Sequence, residues 1–118
     1  MNTSELAKRH CVPCEGGTPP MPREQANEYM EKIPGWTLVD SHIEKEFKFD
    51  KYLQGLEFAY ALGKTAEEED HHPDMLIRWG KVKVTLMTHA IKGLSDNDFI
   101  MAAKAEEIFR KLIPVPKG

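Results

Sequence analysis

Soon after residue 22 the apolar residues fall at helical spacing: Ala26, Tyr29, Met30 and Ile33 share one face, and Pro34-Gly35 ends the run. This predicts a first helix of about three turns. The period then drops to two. Trp36 to Val39 reads as a short strand and Asp40-Ser41 as a turn. Ile43 to Phe49 reads as a second strand, in which Ile43, Phe47 and Phe49 alternate with Glu44, Glu46 and Lys48. The result is a half-buried hairpin. Leu53, Leu56 and Tyr60, flanked by Ala59 and Leu62, mark a second helix that Asp50 can cap and that runs to about Glu69.

Beyond His71-His72-Pro73 the alternation returns. Met75, Ile77 and Trp79 face one way and Leu76 and Arg78 the other, Gly80-Lys81 turns the chain, and Val82, Val84 and Leu86 alternate with Lys83, Thr85 and Met87. His89 falls at the strand's end, on the face opposite those valines. Gly93 punctuates a loop and Ser95 caps a third helix, whose stripe is Met101, Ala105, Ile108 and Leu112 with Phe109 beside it, ended before Pro114. The predicted order is α-β-β-α-β-β-α. Such an order favours an α+β domain over residues 23–118, with a single four-stranded antiparallel sheet and three helices on one face. Residues 1–22 show neither period and read as an N-terminal arm, with Cys11-x2-Cys14 followed by a Gly/Pro cluster. Edge strands on so small a sheet invite a second copy, so a homodimer or homotetramer is expected.

Composition narrows the function classes. With 118 residues, 41% of them hydrophobic, there is room for one core. Charged residues are 30% of the chain, yet the net charge is only -3, which argues against nucleic-acid or anionic-membrane partners. No apolar run is long enough to span a bilayer and no export signal opens the chain, so a cytoplasmic protein is expected. Two cysteines suit a reducing compartment.

The candidate chemistry lies in one run, Glu67-x3-His71-His72-Pro73-x5-Trp79-x9-His89-x8-Asp98. Imidazole is the side chain that titrates nearest neutrality, and the acids from Glu67 to Asp70 favour an imidazolium able to give a proton. Pro73 biases His72 toward extended geometry, so the paired rings should splay apart. Each residue also has a plainer reading. The acidic run is equally a solvated helix end, Ser95-x2-Asp98 fits a capping box, and Asp98 so held can still orient His89. Trp36 and Trp79 fit core or rim as well as a platform for a flat heterocycle. A zinc ion on His71, His72 and His89 is a further option, but no HExxH or other close ligand pair supports it. Cys11-x2-Cys14 beside His10 is half of a zinc knuckle or a redox motif, or simply an ordering turn.

The run, together with Pro34-Gly35-Trp36, Asp70, Thr88-His89 and Gly93-Leu94-Ser95, resembles the signature of the pterin-4a-carbinolamine dehydratases, also called 4a-hydroxytetrahydrobiopterin dehydratases, over about residues 23–112. The cysteine leader resembles an extension found in some members. What the resemblance implies is a lyase that removes water from a tetrahydropterin 4a-carbinolamine, with no cofactor and no metal, in dimers or tetramers. It implies acid-base work for His71 and His89 and substrate binding for His72. It also implies orientation by Glu67 and Asp98, with Asp70 and Trp36 beside the substrate. Some animal members also act as coactivators by binding a transcription factor's dimerisation helix, which makes an interaction module the main rival. A metal-dependent hydrolase is the third reading.

Overall fold

The alternating segments form four antiparallel strands in a computed structural model that describes residues 2–13 and 16–112. They are β1 (Thr37–Val39), β2 (His42–Lys48), β3 (Asp74–Arg78) and β4 (Lys81–Leu86), in spatial order β1-β2-β4-β3. Register sets Ile43 opposite Leu86, Phe47 opposite Val82 and Met75 opposite Val84. Residues directly opposite point to the same side of a sheet, so one face is apolar and the other carries Glu44, Glu46, Lys81 and Lys83. An ion pair of 3.3 Å joins Lys83 to Glu44 across that outer face. Lys45 breaks the pattern by pointing inward, where Nζ reaches both Glu106 oxygens at 2.8 and 3.0 Å and ties sheet to helix.

Helices α2 (Arg23–Met30), α3 (Tyr52–Glu69) and α4 (Asp96–Leu112) follow the expected order, and a further helix, α1 (Thr3–Ala7), precedes them. Phe58 and Leu62 of α3 and Phe99 and Ile100 of α4 pack with Ile43, Phe47, Val82, Val84 and Leu86 in one core. Phe47, Phe58 and Phe109 meet there with ring centroids 4.7 to 6.1 Å apart. Among the described residues no helix is long and apolar enough to cross a membrane.

Three local expectations are corrected. Helix α2 stops at Met30, because Lys32 and Ile33 bond three residues back in a tight turn rather than continuing the ladder to Pro34. At the start of α3 the cap is not Asp50: Gln54 Oε1 reaches back to accept the N–H groups of Asp50 and Lys51, both at 3.1 Å. The first residues are not an irregular arm. Asn2 caps α1 through the Glu5 N–H at 2.8 Å, Leu6 is fully buried in the core, and Lys104 of α4 donates to the Ala7 carbonyl at 2.8 Å. A helix of five residues buries one side chain, too few to reveal a period. Cys14 and the stop at Pro114 lie outside the described residues.

Candidate active site

Helix α3 ends where Asp70 turns left-handed, at φ 52°. The His71 N–H then reaches the Ala66 carbonyl at 3.2 Å and the Asp70 N–H the Glu67 carbonyl at 3.4 Å, a Schellman-type closure. The two histidines that follow do splay. His71, with its side chain 11% exposed, sets Nε2 at 2.7 Å from Asp98 Oδ1. His72 turns outward and sets Nε2 at 2.8 Å from Glu67 Oε1, both side chains being largely exposed.

Asp98 is fully buried, the third residue of α4. Its Oδ2 accepts the Ser95 N–H at 3.0 Å and the Thr88 hydroxyl at 2.8 Å. With the Thr88 proton so placed, the Ser95 hydroxyl donates to Thr88 Oγ1 at 2.7 Å and itself accepts the Asn97 N–H at 3.3 Å. A close variant of the capping box is therefore present, with Ser95 Oγ on the Asn97 N–H rather than that of Asp98. The same carboxylate holds His71, not His89, because the helix start points its N3 side chain toward the end of α3. Every oxygen is satisfied, which is what a buried carboxylate requires.

His89 opens a 3-10 turn, His89–Ile91, pinched shut by backbone bonds between Thr88 and Gly93 of 2.8 and 3.4 Å. It is exposed, and its ring meets no hydrogen-bond partner among the described residues. Gly93 is required by close approach, since a Cβ there would lie 2.6 Å from Cβ of Pro20. The leader thus packs against the loop that carries His89.

His71, His72, His89, Asp70, Thr88 and Asn97 are among the residues that line one cavity of about 310 Å³, joined by Val12 and Pro13 from the N-terminal segment. A larger cavity of about 420 Å³ between α1, α3 and α4 has one histidine, His10, among mixed charges and small side chains, so chemistry and not volume distinguishes the site. Trp36 is not in the lining: it is 7% exposed within the core, edge-on to Phe47 at 5.9 Å. Trp79 is 74% exposed at the β3–β4 turn. Thr88 and Ser95 complete the relay to Asp98; both stood among the residues of the family resemblance, and the capping pattern pointed to Ser95 as well. Nothing in the sequence marked Val12 or Pro13.

No three His, Cys, Asp or Glu among the described residues are arranged to hold a metal ion. Cys11 is half-buried, its Sγ 3.8 Å from the Asn97 carbonyl, and burial, with Glu69 beside it, pushes its thiol up to about 12. At neutral pH it is no thiolate.

Fold and site together define an α+β domain with a pocket rimmed by three imidazoles. Residues 19–108 match the pterin 4 alpha carbinolamine dehydratase family, and the chain belongs to it. A Rubrobacter xylanophilus protein provisionally named pterin-4-alpha-carbinolamine dehydratase is 42% identical over 89% of this chain and 99% of its own length. One of the same provisional name from Alkaliphilus metalliredigens is 44% identical over 88% of this chain and 96% of its own. A crystal structure from Brucella melitensis, described as a transcriptional coactivator/pterin dehydratase, superposes with a TM-score of 0.73 at 32% identity, covering 75% of this chain and 97% of that one.

Proposed function

We propose that the protein dehydrates the 4a-carbinolamine of a tetrahydropterin to the quinonoid dihydropterin, in the recycling of tetrahydrobiopterin, by histidine acid-base catalysis. The observation that carries this reading is a single cavity shared by His71, His72 and His89, in a chain of the dehydratase family. The reaction needs little else. The ring nitrogen next to the carbinolamine carbon expels the oxygen with its lone pair once an acid protonates the departing hydroxyl, and a base removes the nitrogen's proton. Water leaves and no electrons are exchanged with a second reactant.

In this reading His71 and His89 exchange the protons and His72 holds the pterin. The Asp98 bond commits His71 Nε2, so Nδ1 is the nitrogen left for substrate. Glu67 steadies His72 from the solvent side, an exposed pair that contributes little to stability. Asp70, at the cavity edge, is available to a ring N–H. Trp36 stands in the core, outside the residues that line the cavity. His71→Ala and His89→Ala should each slow dehydration by about 10²- to 10⁴-fold with the fold intact, the usual range for one positioned acid or base. The assay generates the carbinolamine with a hydroxylase and follows its ultraviolet decay; unchanged turnover in both variants rejects the assignment.

Other features fit the same reading. Edge strand β3 exposes Leu76 by 52% and Ile77 by 38%, with Trp79 at its end, which supports a homodimer or homotetramer formed along that edge. The low cysteine count supports a cytoplasmic location. The Brucella protein's double description favours one second reading, a coactivator module that binds a partner's helix. Pull-down against such a helix, beside the decay assay, separates the two.

A further inference from the structure

Three consecutive peptide groups of the N-terminal segment are gripped by the same helix ends that build the histidine pocket. Glu69 Oε1 accepts the Cys11 N–H at 2.6 Å. The buried Asn97 amide pairs with both polar groups of Val12, Oδ1 taking its N–H at 3.0 Å and Nδ2–H reaching its carbonyl at 2.6 Å. Such a pairing does the work of a neighbouring strand and sets the segment's register to one residue. Glu69 stands two residues before His71 and Asn97 adjoins Asp98, so this grip and the His71–Asp98 bond share one scaffold.

The terminus needs no such grip merely to dock, because α1 already buries Leu6. What the grip does is hold Val12, an apolar side chain left 65% exposed, in the lining of the cavity that contains the three imidazoles. A flat heterocycle needs an apolar surface against its face, and a pre-ordered backbone provides one with little further entropy to lose.

We propose that Val12 and Pro13 form a wall of the pterin site. Val12 touches the ring, and Glu69 and Asn97, the latter itself bordering the cavity, are positioning residues that hold that wall. The inference rests on reading the cavity as the pterin pocket, and it gives the leader a part in substrate fit.

Steady-state dehydration by full-length variants tests it. Val12→Ser should raise KM for the carbinolamine about tenfold, the lower end of the cost of a lost apolar pocket contact, with kcat held within about twofold. Asn97→Ala should raise KM similarly, and the double variant no further, because effects that run through one contact do not add. Asn97→Asp, which still accepts the Val12 N–H, should recover part of the loss. Val12 is exposed, so its variant keeps the fold and decides the matter even where Asn97→Ala does not. An unchanged KM in Val12→Ser, or a fall in kcat instead, overturns the wall; KM effects that multiply in the double variant overturn the role of Asn97. Failure of the underlying reading has another signature: the unaltered protein does not hasten carbinolamine decay, or His71→Ala and His89→Ala leave turnover untouched.

Discussion

Asp98 serves helix and site with one carboxylate, Oδ2 closing the start of α4 on the Ser95 N–H and Oδ1 holding His71. The capping reading of this residue holds, and because the same carboxylate also reaches a histidine of the proposed site, a structural role does not argue against a chemical one. Asp70 shows the same economy, lining the cavity while it holds the left-handed residue that ends α3, at φ 52°. A Cβ makes that conformation costly, and a short polar side chain tolerates it better than alanine does. Asp70→Ala should be about 1 kcal/mol less stable than Asp70→Gly, which meets no such penalty. Urea unfolding of the two variants measures the difference, and coincident midpoints would refute the strain.

Among the elements, the loop from Thr88 to Gly93 shows how an exposed histidine is held in place with no partner for its ring among the described residues. The Thr88–Gly93 bonds close it, Thr88 is anchored to Asp98, and Pro20 of the leader presses on Gly93. Proline cannot flex aside as a long side chain would. Gly93→Ala should therefore cost about 1–3 kcal/mol of stability, the usual range for overpacking, and should reduce turnover by displacing His89. Calorimetry beside the decay assay checks both; a melting temperature equal to that of the unaltered protein would show that the contact yields freely.

For the whole molecule, Glu69 is the junction. Its oxygens accept the Cys11 N–H and His10 Nδ1, at 2.6 and 2.8 Å, and Lys104 of α4 stands 3.9 Å away. Burial alone would raise this carboxyl, but His10, the Cys11 amide and Lys104 outweigh it and hold it below its ordinary value of 4.5. A carboxyl lowered by folding stabilises fully above that ordinary value, and the contribution is lost as pH falls through the folded value. Below about pH 4.5 the tether of the N-terminal segment should weaken. Thermal unfolding across this acid range should show a steeper loss for the unaltered protein than for Glu69→Gln, and Cys11 and Val12 amide exchange should quicken with it. Parallel profiles would remove Glu69 from that role.

What the sequence determined by itself was whatever repeats locally: the two hairpins, the three longer helices, the apolar sheet face, and a histidine run with its spacing to Asp98. These are legible because side-chain period follows backbone geometry and a cap lies within a few residues of what it caps. The pairing of acids with rings was not. Asp98 fits His89 as well as His71 on paper, and only the packing of α4 against the end of α3 selects His71. Trp36 stood beside a helix break that says nothing of depth, and packing against Phe47 put it in the core. Helix α1, the hold of Asn97 on Val12 and the approach of Pro20 to Gly93 join residues more than seventy positions apart, which leave no periodic trace in the chain. Tertiary structure decided them, because contacts between distant segments are set by how whole elements pack, while local patterning reports only which face of each is apolar.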